Sequence, residues 1–183
     1  LYSRSKHMDI RNYGSGNSGS TNVLRVMGKK AGLIVFLGDA GKMIAACLIT
    51  RVLFRSQPEL LYVYLLYTGF GVILGHNFPF YLGFKGGKGI ATTGGVIFAF
   101  HWQLGLICAA VFLIITAISK YVSLGSICMV LIIPFILYFS NPHDWKLVIV
   151  GCIFTAMAIW RHRANIGRLM NGTENKLGQK VKR

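Results

Sequence analysis

Three polar clusters in this 183-residue chain bring together residues able to grip an anion. The first reads Gly14-Ser15-Gly16-Asn17-Ser18-Gly19-Ser20-Thr21-Asn22, with Arg25, Lys29 and Lys30 just beyond it. A glycine-rich turn ahead of a helix can expose N–H groups as an anion nest, and hydroxyls and amides add donors. The plain alternative is a flexible Gly/Ser loop. The second cluster runs from Gly75 to Thr92 and includes Lys85-Gly86-Gly87-Lys88-Gly89. Its glycines let backbone approach a bulky anion while Lys85 and Lys88 supply charge, as a phosphate requires. Its alternative is a tight interhelical loop with two orienting lysines. The third runs from Arg161 to Glu174. On a continuing helix His162 and Asn165 share a face, with Arg161 and Arg168 around it. A juxtamembrane basic stretch on anionic lipid is the alternative there.

Two familiar phosphate motifs are excluded. Gly14-x-Gly16-x-x-Gly19 matches the dinucleotide fingerprint, with Asp39 at a suitable distance, but no strand precedes it and Asp39 lies in an apolar segment. The loop around Lys88 lacks the spacing of a Walker A loop. Cys47, Cys108, Cys128 and Cys152 lie singly in apolar runs and read as small buried hydrophobes, so neither disulfides nor a metal site are expected.

The elements that must hold these clusters are membrane helices. The chain is 54% hydrophobic with a mean hydropathy of +0.54, too apolar for an ordinary soluble domain. Apolar segments lie at about 31 to 50, 60 to 75, 89 to 100, 104 to 118, 122 to 139 and 146 to 160, so the fold class is all-α, a polytopic bundle of about six spans in a single domain covering residues 1 to 183. The third segment is short for a crossing, and is expected to be tilted or to enter as a broken helix lining a cavity. Asp39 and Lys42, three apart in the first segment, are expected to form a structural ion pair. No function is assigned to His101 or His143.

Twenty Lys and Arg against five Asp and Glu give a net charge of +15, which implies an anionic partner. Nucleic acid, lipid headgroups and phosphorylated metabolites all qualify by charge alone. Numbering the loops alternately puts sixteen Lys and Arg on one side and only Arg51, Arg55 and Lys146 on the other. The positive-inside rule assigns the richer side, which carries all three clusters, to the cytoplasm. Most of the basic residues therefore orient the protein, and no nucleic-acid partner is expected. Residues 1 to 30 read as polar and basic, with no secretory signal expected there, and residues 176 to 183 as a solvated basic tail.

Together the clusters resemble the acyl-phosphate-dependent glycerol-3-phosphate acyltransferase (PlsY) family of bacteria, whose motifs are GSGNxGxTN, GHxFPxxxxFKGGKGxAT and RHxxNIxRLxxGxE. The resemblance spans about residues 9 to 174, and Ser18 and Ser20 are small departures from it. It implies seven membrane helices, with an apolar span ahead of the first motif. Residues 1 to 8 cannot form that span, so the chain is expected to be N-terminally truncated.

The resemblance further implies that Ser15, Asn17, His162 and Asn165 are catalytic, that Arg25, Lys88, Lys85 and the Gly86 and Gly87 backbone bind substrate phosphate, and that Glu174 is structural. Arg25, Lys88 and His162 would grip phosphate while Ser15, Asn17 and Asn165 act as neutral donors. The implied reaction joins acyl phosphate and glycerol 3-phosphate to give 1-acyl-glycerol 3-phosphate and phosphate, with no cofactor, in phospholipid synthesis at the bacterial cytoplasmic membrane. Membrane lipid is the remaining partner. No His-x-x-x-x-Asp signature follows any of the five histidines, which argues against the soluble-domain acyl-CoA or acyl-carrier-protein class. The rivals are a small phosphate or organophosphate transporter, for which inverted repeats would be the sign, and a scaffold that binds acidic lipid.

Overall fold

The computed structural model describes residues 2–140 and 144–179; His143, and Lys180 to Arg183 of the basic tail, lie outside this range. Its helices are α1 (Ser20–Met27), α2 (Lys29–Leu53), α3 (Pro58–Asn77), α4 (Ile90–Phe100), α5 (Trp102–Ser119), α6 (Val122–Ser140), α7 (Trp145–Arg161) and α8 (Arg163–Met170). No strand occurs among the described residues, which removes the Rossmann reading on structural grounds too.

Every apolar segment marked in the sequence is a helix, but the helices differ in reach. α2, α3, α5 and α6 are long and apolar enough to cross a bilayer, and α7 with α8 makes a fifth candidate bent by 60°. α4 has 11 residues. At about 1.5 Å per residue it covers roughly 16 Å, about half of a hydrocarbon layer of about 30 Å.

Neighbours along the chain pack in series: α2 on α3 and α4, α4 on α5, α5 on α6, and α6 on α7, with a lighter contact between α3 and α7. Met43, Leu65, Val96, Ile133, Leu137 and Phe154 are buried at the seams. Water drives no helix association inside a bilayer, so close van der Waals approach must do so. Gly69 of α3 allows it, since a Cβ there would overlap Val96 of α4; Gly125 of α6 would likewise strike Thr116 of α5. The outward faces carry Leu33, Leu37, Leu48, Leu113, Ile118 and Phe135, all more than half exposed, as a lipid-facing surface requires.

Pro134 lies inside α6 and cannot donate to the carbonyl four residues before it. That carbonyl belongs to Val130, and the Thr155 hydroxyl of α7 donates to it at 2.6 Å. The backbone acceptor freed by proline is thus satisfied from the next helix, as an apolar surround demands.

Of the cysteines, Cys47 and Cys108 are buried as expected, but Cys128 is half-buried and Cys152 is exposed on α7. An apolar run puts a residue in a membrane helix without deciding which face it occupies. His101 caps the start of α5 and is exposed.

Candidate active site

The first cluster folds around Asn22, which is 2% exposed. Its amide nitrogen donates to the carbonyls of Tyr13 (3.0 Å) and Asn17 (2.9 Å), and its Oδ1 accepts the Ser15 N–H at 2.9 Å. Gly14 and Gly16 take φ of +61° and +70°, a left-handed turn that side chains resist. The Gly16 N–H donates to the Tyr13 carbonyl at 3.0 Å and the Gly19 N–H to Asn17 Oδ1 at 2.8 Å. Most of the expected anion nest is therefore spent on holding its own loop. The Ser15 hydroxyl, the Asn17 amide nitrogen and the first N–H groups of α1 remain without partners among the described residues.

The second cluster is locked to the end of α3. The Gly86 and Gly87 N–H groups donate to the carbonyls of Asn77 and His76, each at 3.1 Å. Arg161 donates to the carbonyls of Gly86 (2.9 Å) and Gly87 (2.8 Å). A Cβ on Gly86 would strike the His76 carbonyl and the Pro79 ring, and one on Gly87 the His76 imidazole. With their N–H groups engaged, these two glycines build the loop and offer no backbone donor to phosphate. The loop directs Lys88 inward, and Gly89 at φ +82° caps α4, so that the start of this short helix borders the same cavity. Lys85 stays exposed and outside the cavity.

The third cluster does not continue α7 as one helix. His162 takes φ −97° and ψ 3°, and the chain turns there into α8. The His162 N–H is shared between the carbonyls of Ala158 (3.0 Å) and Ile159 (2.9 Å), and its imidazole Nδ1 lies 2.8 Å from the Ala158 carbonyl. These extra demands on the last carbonyls tighten the final turn and end the helix. A carbonyl can only accept, so Nδ1 carries the hydrogen and Nε2 is left as an acceptor. His162 and Asn165 still border one cavity, because the bend swings α8 beneath the loops.

Glu174 organises this end of the molecule. Its Oε1 accepts from the Asn165 amide (2.7 Å) and the Ser123 hydroxyl (3.0 Å), and its Oε2 accepts from Arg168 Nε (2.6 Å). With its nitrogen fixed in this way, Asn165 presents Oδ1 to Lys88 Nζ, which donates to it. Burial alone would raise the carboxyl's pKa, but the bonds from Asn165, Arg168 and Ser123 outweigh it and hold the group ionised.

The cavity these parts enclose has a volume of about 110 Å³, and Ser15, Asn17, Arg25, Lys88, His162 and Asn165 all border it. Phe36 of α2 and Phe112 of α5 form an apolar part of the wall. Burial, reinforced by the charges of Arg168, Arg25 and Arg161, pushes Lys88 down to about 8 against the pull of Glu174. Burial also lowers Arg25, whose Nη2 donates to the Asn175 carbonyl at 3.0 Å while its buried Nε has no partner. His162, just beyond the end of α7, is pushed down to about 4 by burial and by Lys88, so it is neutral at pH 7. A neutral imidazole with its acceptor nitrogen free suits a hydroxyl better than a phosphate, which departs from the phosphate-gripping role expected for it. Crowded, dehydrated cations with an unspent N–H are stabilised by an incoming anion.

The structure thus gathers six of the nine residues assigned to catalysis or phosphate binding around one cavity and leaves Lys85, Gly86 and Gly87 outside it. Asp39 and Lys42 pair at 2.7 Å, and His76 joins them as a third member that carried no role in the sequence reading. Asn22 and Ser123 were missed as well. Asn22 closes the first motif and a buried Asn is the natural organiser of a glycine turn; Ser123, in an apolar segment, gave no signal.

A bundle with lipid-facing helices and a buried cationic cavity near one end is an integral membrane protein shaped to receive a small anion. The chain belongs to the glycerol-3-phosphate acyltransferase family, whose model matches residues 1–172, and it is therefore an acyltransferase of phospholipid biosynthesis. It is 48% identical over 176 residues to the glycerol-3-phosphate acyltransferase of Clostridioides difficile (strain 630), covering 94% of this chain and 84% of that protein. Identity to the enzyme of the same name from Thermoanaerobacter sp. (strain X514) is 44% over 179 residues, covering 96% and 85%. The fold matches the crystal structure of PlsY (YgiH), an integral membrane glycerol 3-phosphate acyltransferase, in its glycerol 3-phosphate form. The TM-score is 0.86 at 37% identity, over 96% of this chain and 86% of that one.

Proposed function

We propose that this protein transfers an acyl group from an acyl phosphate to the 1-hydroxyl of glycerol 3-phosphate, releasing 1-acyl-glycerol 3-phosphate and inorganic phosphate. The observation that carries the reading is the cavity in which Arg25, with its unpartnered buried Nε, and Lys88 sit beside the neutral groups of Ser15, Asn17, His162 and Asn165. Both substrates bring phosphate, and the cations answer it. The Ser15 hydroxyl has no hydrogen-bond partner among the described residues, so nothing there activates it as a nucleophile, and direct attack by the glycerol hydroxyl is the simpler course.

An acyl phosphate is a mixed anhydride and already activated. The protein then has to hold the hydroxyl against the carbonyl carbon and meet the developing oxyanion with donors. Arg25 and Lys88 bind phosphate, His162 Nε2 accepts the glycerol hydroxyl's hydrogen bond, and Ser15 and Asn17 donate to oxygen. Asn165 orients Lys88. As the new C–O bond forms and the bond to phosphate breaks, the hydroxyl proton leaves on the departing phosphate. The apolar wall at Phe36 and Phe112 lets the acyl chain lie towards lipid. The motif loops face the cytoplasm of a bacterial inner membrane, a placement supported by the sixteen-to-three distribution of Lys and Arg.

Detergent-purified protein is to be given palmitoyl phosphate with and without glycerol 3-phosphate, with palmitoyl-CoA as the other donor. Phosphate release that depends on glycerol 3-phosphate and matches acylated product one to one is expected. A folded protein that binds glycerol 3-phosphate yet releases none would overturn the reading, and turnover with palmitoyl-CoA alone would overturn the donor.

A further inference from the structure

We infer that His76 is a substrate-contacting residue of this reaction: its imidazole is held by Lys42 with the hydrogen on Nε2, and that N–H donates to the acyl-phosphate group where it crosses between two cavities. The inference rests on the acyl-transfer reading above.

A second cavity, of about 360 Å³, adjoins the first. Asp39 and His76 border both, so they form the partition between the two spaces. Lys42, Arg4 and Arg11 border only the second. Arg11 is bound to Asp9 at 2.6 Å, and Asp39 pairs with Lys42. His76 is thus the one side chain besides Asp39 in the shared wall.

Its tautomer follows from its neighbours. Lys42 Nζ lies 2.7 Å from His76 Nδ1 and 2.7 Å from Asp39 Oδ1. An ammonium has only hydrogens to give, so Nδ1 must present its lone pair and the ring hydrogen must sit on Nε2. The reverse assignment, Nδ1–H to Asp39, would use a longer contact of 3.3 Å and would press two hydrogens together between Nδ1 and Nζ. Asp39 aims the ammonium through its 2.7 Å contact. On its other edge the ring lies over Gly87, where a Cβ would overlap Nε2, and Nε2 has no partner among the described residues. The side chain is 11% exposed and borders both cavities.

An N–H held at a partition by a hydrogen bond on the ring's other nitrogen is what a mixed anhydride needs at its acyl oxygen. When the glycerol hydroxyl attacks, the carbonyl oxygen gains charge, the new C–O bond forms, the bond to the leaving phosphate breaks and the proton departs with that phosphate. Nε2–H keeps its hydrogen throughout and donates more strongly to the oxyanion than to the carbonyl, which raises kcat in preference to affinity. Lys42 and Asp39 are positioning residues that act through the ring.

The test compares His76→Phe, which keeps a ring and removes the donor, with His76→Gln, whose amide nitrogen falls near Nε2. The palmitoyl phosphate assay above supplies kcat and KM, and folding is checked by melting temperature. Loss of a single oxyanion donor lowers kcat by about 100-fold or more. His76→Phe is expected to show that loss with a glycerol 3-phosphate KM within about threefold of the parent, and His76→Gln to recover most of it. Lys42→Met, which frees the tautomer, is expected to lower kcat and leave KM alone. Unchanged kcat in His76→Phe, equal losses in Phe and Gln, or an effect confined to KM would each overturn the proposal. If His76→Phe does not fold, 15N NMR of histidine-labelled parent protein decides: hydrogen on Nε2 supports the assignment and hydrogen on Nδ1 overturns it. That spectrum stands whatever the turnover, whereas no turnover by the parent protein would count against the acyl-transfer reading and not against the tautomer.

Discussion

Lys88 Nζ donates to Asn165 Oδ1, joining the loop between α3 and α4 to α8 across 77 residues of sequence. Asn165 is itself held by Glu174, so the carboxylate that fixes the lysine touches it only through an amide. In the proposed reaction this leaves the lysine's charge for substrate phosphate.

The alkaline behaviour should follow Lys88. Its pKa in the fold is pushed down to about 8 from 10.5. Between those values the unfolded chain holds more protons, so the ligand-free protein gains stability from this group as pH rises through the window. Phosphate binding needs the charged form, and the KM for glycerol 3-phosphate should climb as pH passes about 8. Lys88→Arg, charged throughout, should remove that limb even where it lowers kcat. A pH series of kcat and KM from 6.5 to 9.5 checks both points.

Titration of His162 should leave no mark on the pH dependence of activity near neutrality. Its pKa falls from 6.5 to about 4, so the unfolded chain is the more protonated state between these values. Its contribution to stability is intact above 6.5 and is lost as pH drops towards 4. Melting temperatures from pH 4.5 to 8 should decline only on the acid side, and in His162→Gln that decline should shrink.

Glu174→Ala should cost stability and activity together. It removes the acceptor shared by Asn165, Ser123 and Arg168; Arg168 is partly exposed and can be solvated, so the loss is that of buried donors left unsatisfied, about 1–3 kcal/mol. A lower melting temperature is expected, with a smaller drop for Glu174→Gln. A Glu174→Ala protein as stable as the parent would contradict the part given to this carboxylate.

Thr155 and Pro134 should be coupled. Thr155→Val leaves the Val130 carbonyl unbonded, at a cost of about 1–3 kcal/mol. In the Pro134→Ala background residue 134 regains an N–H for that carbonyl, and the same Thr155→Val change should cost much less. Additive effects in the four-protein cycle would count against the contact.

Gly87→Ala and Gly83→Ala should differ. The first drives a methyl into the His76 imidazole and should displace the loop carrying Lys88. The second, at φ +61° with open space around it, should cost only the left-handed penalty of about 1–2 kcal/mol. Turnover assays on the two proteins should separate a damaged site from a slightly strained turn.

What the sequence revealed and what it hid divide along the range of the interactions. Hydropathy is a local property, and it located all six apolar helices, but not that only four of them, or five with the bent α7–α8 pair, are long enough to span a bilayer. The clusters marked the cavity because polar, glycine-rich stretches between apolar runs have few other uses. The break at His162 was hidden, since it depends on how one imidazole divides the last carbonyls of α7. Equally hidden was the use of the Gly86 and Gly87 N–H groups by His76 and Asn77, a contact set by where α3 happens to end. Lys85 and Lys88 look alike in sequence, and only the turn at Gly86 and Gly87 sends one inward and leaves the other in solvent.

The bond from Arg25 to the Asn175 carbonyl spans 150 residues. A ribosome adds about 5–20 residues per second, so this arginine waits roughly 8–30 s after its own synthesis before its partner exists. During that interval the first motif, Lys88 and the early helices are already made, with their charges unmatched by Glu174. The nascent chain therefore cannot hold substrate phosphate in finished form while it is still being threaded into the bilayer. Competence for the reaction waits on a contact that can form only after α1 to α8 have all been made, which ties the onset of lipid synthesis by each molecule to the insertion of that whole set of helices.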